Sequence, residues 1–161
     1  MTISIGDTIP SATLKELTDE GMNEVKTEEL FGPGRKVIVF SLPGAFTPTC
    51  SQTHLPGFVA EADALRAKGV SEIVCLAVND AFVMKAWGDA QGATGKVRML
   101  ADGSAVFTKL LGLEQDLSAA GMGIRGKRFA MIVEDGKVKN LDVEEGRGVD
   151  VSGAQACMVR L

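Results

Sequence analysis

The chain has 161 residues, 45% of them hydrophobic and 24% charged, a balance typical of one globular domain, which we expect to span residues 1–161. Its 17 basic and 21 acidic side chains give a net charge of −4 without a basic cluster, so we expect no nucleic-acid partner. No apolar stretch is long enough to cross a membrane, and the N-terminus lacks a secretion signal, so we expect no membrane partner and a cytoplasmic location.

Two strand–helix units are predicted in the first half of the chain. Residues 36–42 form a short apolar, β-branched run between glycine- and proline-rich turns, which predicts a buried strand. Helical spacing follows from Leu55 to Lys68, with Pro56 expected to kink that helix. Residues 72–78 repeat the strand pattern, and apolar residues over 82–90 mark one face of a second helix. The order is that of a βαβ unit.

A third unit and an irregular segment come next. Residues 97–100 predict a short strand, and a helix is expected from Ser104 as its N-cap to Gly112 as its stop. The segment 112–127 lacks clear periodicity, so we interpret it as a functional loop.

The last elements are a hairpin and a helix. Asp135-Gly136 lies between two strand patterns, 128–134 and 137–143, and predicts an antiparallel hairpin. A final helix is expected from Ser152. The fold class is therefore α/β, with a central mixed and mostly parallel β-sheet, helices on both faces and an antiparallel terminal hairpin. In such sheets, loops at the carboxyl ends of strands carry the site.

Cysteine and histidine are scarce, which limits the chemistry. The cysteines are Cys50, Cys75 and Cys157, and the single histidine is His54, so no zinc spacing exists and we expect neither a metal nor another cofactor. A disulfide reductase of the thioredoxin type needs a second cysteine beside Cys50, and none lies within three residues. Three cysteines without a secretion signal favour a reducing compartment.

The loop 43–50 leads from the first core strand into the first long helix, so Cys50 falls in the first helical turn. The amide groups and positive dipole there favour a thiolate. A helix terminus contributes at most about 2 kcal/mol, whereas ionising most of a free cysteine at neutral pH takes roughly 3 kcal/mol. We therefore expect an arginine or lysine near Cys50.

The pattern Pro43-x-x-x-Thr47-x-x-Cys50 resembles the active-site signature of the peroxiredoxins. The stretches 43–58, 78–87 and 121–130 are similar to the peroxiredoxin-five-like, or plant type II, subfamily, so the resemblance covers nearly the whole chain. It implies a thioredoxin-like fold and a peroxidase that reduces hydrogen peroxide and alkyl hydroperoxides through a sulfenic acid.

The resemblance also implies residue roles. Cys50 is similar to the peroxidatic cysteine and Arg125 to the arginine that completes the site, although Lys127 and Arg128 lie close by. Pro43 would shield the thiolate from water, and Thr47 would hold its hydroxyl against the sulfur and the substrate. For His54, a Cys–His pair is conceivable, but we favour a packing or hydrogen-bonding role.

The sequence leaves the return of the sulfenic acid to a thiol open. Type II relatives with a resolving cysteine carry it after the terminal hairpin, where residues 148–153 have none. Cys157 lies on an apolar helix stripe and Cys75 within a strand, so we expect a one-cysteine cycle with glutathione and glutaredoxin. The alternatives are a thioredoxin-dependent cycle with Cys75 as resolving cysteine, and a peroxide sensor that passes its oxidation to a partner. Relatives of this type form homodimers, and we expect Phe46 and the region 82–87 to contribute to such an interface.

Overall fold

A seven-stranded mixed sheet forms the centre of the computed structural model, which describes residues 1–146 and 148–161. The strands are β1 (Thr13–Thr18), β2 (Gly21–Lys26), β3 (Lys36–Ser41), β4 (Glu72–Ala77), β5 (Arg98–Ala101), β6 (Glu114–Asp116), β7 (Ile124–Gly126), β8 (Phe129–Glu134) and β9 (Lys137–Val143). The α-helices are α1 (Thr27–Leu30), α2 (Leu55–Ala67), α3 (Ala81–Ala90), α4 (Val106–Leu111) and α5 (Ala154–Arg160). The sheet order is β2-β1-β5-β4-β3-β8-β9, and β6 and β7 form a separate antiparallel pair.

The mixed sheet and its terminal hairpin confirm the predicted architecture. The β3–β4 and β4–β5 pairs are parallel, and the other pairs of this sheet are antiparallel, so the sheet is less parallel than expected. The predicted hairpin joins β8 to β9, and its turn residues Asp135 and Gly136 have φ values of +52° and +75°. Such values are those of the tight turns that match the twist of a hairpin.

Helices cover both faces of the sheet, so the central strands are buried on both sides. On one face, α2, α3 and α5 pack through side chains such as Phe58 and Trp87 onto Phe40 and Cys75. On the other face, α1 and α4 pack Phe107 and neighbouring residues against the sheet. Each large apolar side chain buried in this way contributes about 1.5–3 kcal/mol. Cys50 lies on the first of these faces.

The structure adds detail to one predicted helix and corrects the start of another. Pro56 is the second residue of α2 and directly follows a π-helical turn over Cys50–His54, so the helical segment is irregular just before the proline, where the sequence predicted a kink. Helix α4 begins at Val106, and the buried carboxylate of Asp102 caps it in place of Ser104 by accepting the amides of residues 107 and 108 at 3.2 and 2.7 Å. The predicted stop at Gly112 is confirmed.

Further differences concern short elements. The region expected as a loop over 112–127 contains β6 and β7, and the final helix begins at Ala154 rather than Ser152. Strands β1 and β2 and the helix α1 were not predicted. Strand β2 is at one edge of the sheet and β1 is next to it, and most side chains of both strands are exposed or half-buried. Neither strand therefore has the continuous apolar run from which a buried strand can be predicted.

Candidate active site

The loop 42–49 follows the carboxyl end of β3 and is fixed by polar contacts with its own backbone and with the end of the next strand. The hydroxyl of Thr47 donates to the carbonyl of Gly44 at 2.7 Å. The amide of Ala45 donates to Oδ1 of Asn79, which lies two residues beyond β4, at 2.9 Å. The parallel pairing of β3 and β4 brings these two strand ends together, so the loop is held in one conformation before the helical segment begins.

Cys50 is the first residue of a π-helical turn, Cys50–His54, that runs directly into α2. Its side chain is buried. Nη2 of Arg128 donates to Sγ of Cys50 at 3.3 Å, so the guanidinium lies against the sulfur. Arg128 is itself buried, with 8% of its surface exposed, which weakens solvent screening of its charge. The site therefore combines a helical start with a buried cation, as the energy argument required.

Strand register explains why Arg128 reaches the sulfur. Strand β8 runs antiparallel to β3, and Phe129 is the register partner of Ser41. The residue just before β8 consequently lies beside the loop that leaves β3, although 78 positions separate it from Cys50. The sequence does show a basic residue at the start of the predicted strand 128–134. Its contact with Cys50 could not be predicted, however, without knowing that β8 pairs with β3.

Arg125 donates to loop carbonyl groups and not to the Cys50 sulfur, where the sequence predicted it. Its Nη1 donates to the carbonyl of Pro43 at 3.2 Å, and its Nε donates to the carbonyl of Met122 at 2.9 Å. A Cβ atom at Gly44 would lie 2.6 Å from Nη1 of Arg125, so this approach requires a glycine. The expected cation at the sulfur is therefore corrected to Arg128, because β7 directs Arg125 to the loop backbone instead.

Pro43 and Thr47 lie in the loop that precedes Cys50, as expected from the sequence. The carbonyl of Pro43 accepts from Arg125, and the hydroxyl proton of Thr47 is used by the carbonyl of Gly44. A hydroxyl oxygen that donates its proton in this way still has lone pairs that can accept a hydrogen bond. The roles of Pro43 and Thr47 towards substrate stay predictions.

His54 connects the site to the C-terminal part of the chain. Its ring is buried, with Nδ1 2.9 Å from Nη1 of Arg128 and Nε2 2.9 Å from the carbonyl oxygen of Ser152. The pKa of His54 is lowered to about 4, mainly by burial and in part by the charge of Arg128, while the hydrogen bond to the Ser152 carbonyl opposes the shift. The structure thus gives His54 a hydrogen-bonding environment, which is the role favoured from the sequence.

The other cysteines are free thiols in buried positions. Cys75 is the β4 partner of Phe40, and burial raises the pKa of its thiol well above the usual range, with a smaller electrostatic contribution from Cys50 in the same direction. Burial, together with Asp142, raises the pKa of Cys157 to about 12. A buried, protonated thiol is a poor nucleophile.

The aromatic side chains that the sequence suggested for an interface differ in exposure. Phe46 and Phe82 are exposed, whereas Trp87, which was expected at the same surface, is completely buried. The indole Nε1 of Trp87 donates to the hydroxyl of Ser51 at 3.0 Å, next to the cysteine. The indole therefore reports on the start of the helical segment, and of these three aromatic side chains only the two phenylalanines are exposed.

Residues 1–146 and 148–161 contain no cluster of three or more histidine, cysteine, aspartate or glutamate side chains arranged to bind a metal ion. Within the same described part of the chain, none of the helices is long and apolar enough to span a membrane.

Both the sequence and the fold of this chain are similar to those of known proteins. The Redoxin family model matches residues 4–157. Peroxiredoxin-2B from Arabidopsis thaliana is 45% identical over 152 residues, which cover 94% of this chain and 94% of that protein. The crystal structure of reduced Prx3 from Vibrio vulnificus in complex with H₂O₂ has a TM-score of 0.93 at 52% identity and covers 98% of both chains.

A third relative is more distant. Peroxiredoxin 5 from Alvinella pompejana has a TM-score of 0.85 at 34% identity, with 98% of this chain and 97% of that chain covered. The predicted thioredoxin-like fold and the resemblance to peroxiredoxins of the type II and peroxiredoxin-five group are thereby confirmed.

Proposed function

The chain belongs to the Redoxin family and is a peroxiredoxin, a thiol-dependent peroxidase, and from this premise we propose that Cys50 is the residue that attacks the peroxide. The observation that carries the proposal is the 3.3 Å contact between the Arg128 guanidinium and the buried sulfur of Cys50 at the start of a helical segment. Both features stabilise a thiolate, the reactive form of a cysteine.

In the proposed reaction the Cys50 thiolate attacks one peroxide oxygen. A sulfur–oxygen bond forms as the oxygen–oxygen bond breaks, and the departing oxygen takes a proton from solvent and leaves as water or an alcohol. Cys50 is oxidised to a sulfenic acid, and the peroxide is reduced. Arg128 is placed to stabilise the negative charge as it moves from sulfur to the departing oxygen.

The loop residues have supporting roles in this proposal. Thr47 accepts a hydrogen bond from the substrate through the lone pairs that its bond to Gly44 leaves free. Pro43 shields the sulfur from water, and Arg125 holds the Pro43 carbonyl and so keeps the loop in place. Arg125 is therefore a positioning residue in our scheme.

Hydrogen peroxide and alkyl hydroperoxides are the proposed substrates. The solved Vibrio vulnificus relative contains hydrogen peroxide, and at 52% identity it supports the same substrate here. The attack needs only one accessible peroxide oxygen, so an alkyl group on the second oxygen is compatible with the chemistry.

A one-cysteine cycle returns Cys50 to the thiol in our proposal. Glutathione attacks the sulfenic acid and releases water, and glutaredoxin with a second glutathione then reduces the mixed disulfide. The buried, protonated states of Cys75 and Cys157 support this cycle, because neither thiol is ready to attack. Cys75 belongs to the same buried cluster as Cys50, which makes it the resolving cysteine of the second candidate, a thioredoxin-dependent cycle.

Intact mass and thiol counting after one equivalent of hydrogen peroxide test the proposal. We expect wild-type protein and Cys157→Ser to gain one oxygen at Cys50, form no disulfide and recover with glutathione and glutaredoxin. Loss of two hydrogens and two thiols would instead support the thioredoxin-dependent cycle. If Cys50→Ser consumes peroxide as fast as wild-type protein, Cys50 is not the attacking residue.

The proposal includes a homodimer and the reducing cytoplasm. Phe46, in the loop before Cys50, and Phe82, in the first turn of α3, are both exposed and support an interface between two copies. Free thiols at all three cysteines support a reducing compartment. Sedimentation velocity at micromolar concentration should give the mass of a dimer, and a monomer that persists at that concentration would contradict this part of the proposal.

A further inference from the structure

His54 is a buried titratable side chain that the proposed chemistry leaves without a task. Its ring packs beside the stacked rings of Phe40 and Phe58, with centroids 5.0 Å from Phe40 and 5.7 Å from Phe58. Packing alone would be satisfied by a third phenylalanine. Both ring nitrogens nevertheless have hydrogen-bond partners at 2.9 Å, Arg128 on one side and Ser152 on the other.

The partners of His54 determine where its proton lies. A guanidinium has only donors, so Nδ1 must accept from Arg128 with its lone pair. A backbone carbonyl only accepts, so Nε2 must carry the proton and donate it to Ser152. The two contacts together are compatible with one form, the neutral imidazole with its proton on Nε2. Burial, which lowers the pKa of His54 to about 4, keeps the ring in a neutral form at physiological pH.

The guanidinium of Arg128 is rigid and planar, so a hydrogen bond at one terminal nitrogen also fixes the direction in which the other terminal nitrogen donates. Nη1 is bound to Nδ1 of His54, and Nη2 points at Sγ of Cys50. We propose that neutral His54 is a positioning residue that aligns the Arg128 guanidinium with the Cys50 sulfur. This inference rests on the proposed role of Cys50.

The C-terminal segment completes the arrangement. The carbonyl of Ser152 accepts from Nε2 of His54, and Oε2 of Glu144 accepts from the Ser152 amide at 2.9 Å and from its hydroxyl at 2.6 Å. Glu144 therefore holds the residue whose carbonyl selects the imidazole tautomer. An outer partner that fixes ring orientation in this way is familiar from histidines that bind metals. Here the ring orients an arginine.

The tautomer can be observed directly, because the chain has a single histidine. Long-range ¹H–¹⁵N spectra of uniformly labelled, reduced protein separate the two neutral tautomers and the imidazolium. We expect the Nε2–H pattern at neutral pH and its persistence down to about pH 5. An Nδ1–H pattern or an imidazolium at neutral pH would overturn the proposal, since Nδ1 could then not accept from Arg128.

Three substitutions of His54 separate positioning from packing. His54→Asn keeps an acceptor near the place of Nδ1, His54→Gln keeps a donor near the place of Nε2, and His54→Phe keeps the ring. The readout is the rate at which iodoacetamide alkylates Cys50 across pH, followed by mass spectrometry, together with the rate constant for a single turnover with hydrogen peroxide. Thermal unfolding of each variant measures any loss of stability separately.

If His54 positions Arg128, the Gln and Phe variants should lose about 10-fold or more in both rates, with the alkylation profile moved to higher pH. His54→Asn should stay within about 3-fold of wild-type protein even if it unfolds at a lower temperature. Gln52→Ala, at an exposed position in the same turn, is the matched control and should leave both rates unchanged.

Two results with these variants would also overturn the inference. Wild-type rates in His54→Phe would mean that the ring only fills space. Wild-type rates in His54→Gln with a loss in His54→Asn would mean that the Ser152 contact matters rather than the Arg128 contact. Alkylation of Cys50 requires no peroxide, so the inference is tested independently, whereas failure of the proposed function would appear as peroxide consumption by Cys50→Ser.

Discussion

Replacing Arg128 by methionine tests which guanidinium stabilises the Cys50 thiolate. At a separation of 3.3 Å and an effective dielectric constant of about 20, two unit charges attract each other by about 5 kcal/mol. The net value of a hydrogen bond from a charged donor is smaller, about 1.5–3 kcal/mol, because the ion must first lose water. We therefore expect Arg128→Met to slow the reaction of Cys50 with hydrogen peroxide by about 10- to 150-fold.

Arg125→Met is the matched control for this prediction. Arg125 lies three residues away and contacts carbonyl groups of the loop rather than the sulfur, so we expect a loss below about 10-fold. Stopped-flow fluorescence of Trp87, the only tryptophan, measures both rates, because the indole donates to Ser51 beside Cys50. A larger loss in Arg125→Met than in Arg128→Met would refute the reasoning and restore the role that the sequence suggested for Arg125.

Three further predictions concern stability. The pKa of His54 is about 4 in the folded protein and 6.5 as its ordinary value, so between these pH values only the unfolded chain takes up the proton. As the pH falls through this range, the free energy of unfolding measured in urea titrations should drop by up to about 3 kcal/mol. The variant His54→Asn should lack that part of the decrease. Gly88→Ala should destabilise the protein by about 1–3 kcal/mol, because the new Cβ would lie 2.8 Å from Met99 Cγ. Gly57→Ala, in helix α2, places its Cβ in open space and should stabilise the protein by about 0.5 kcal/mol. Thermal unfolding measures both changes, and two shifts of the melting temperature in the same direction would contradict this prediction. Asp80→Ala should cost about 1 kcal/mol in chemical unfolding by removing the N-cap of α3, and an equal loss in Asp80→Asn would argue against capping.

The central strands could be predicted from the sequence because tertiary structure and local pattern agree there. Strands β3 and β4 are buried on both faces, so nearly every residue is apolar, and the run itself indicates the strand. The β8–β9 hairpin was equally accessible, since Asp135-Gly136 tolerates the positive φ values that a tight turn requires. Strands β1 and β2 were missed because half-exposed, polar strands acquire their identity from pairing rather than from composition.

The same distinction applies to the candidate site. The part from Pro43 to Cys50 is contiguous, so spacing and turn residues could indicate it. The part that faces the sulfur comes from Arg128, which is 78 positions away and depends on how β8 pairs with β3. Arg125 and Arg128 look equivalent in the sequence, and only the strand register separates a guanidinium on the loop backbone from one on the sulfur.

In the proposed reaction the two arginines meet separate requirements. The first is that the loop before Cys50 keeps its position, and the second is that the negative charge is stabilised as it moves from sulfur to the departing oxygen. Arg125 meets the first through the carbonyl of Pro43, and Arg128 meets the second through its contact with Sγ. Because Arg128 is buried, Nη1, the terminal nitrogen that does not contact the sulfur, needs a hydrogen-bond acceptor. A negatively charged acceptor would compete with the thiolate for the guanidinium. Neutral His54 supplies a lone pair without a negative charge, so the field of Arg128 stays directed at the sulfur.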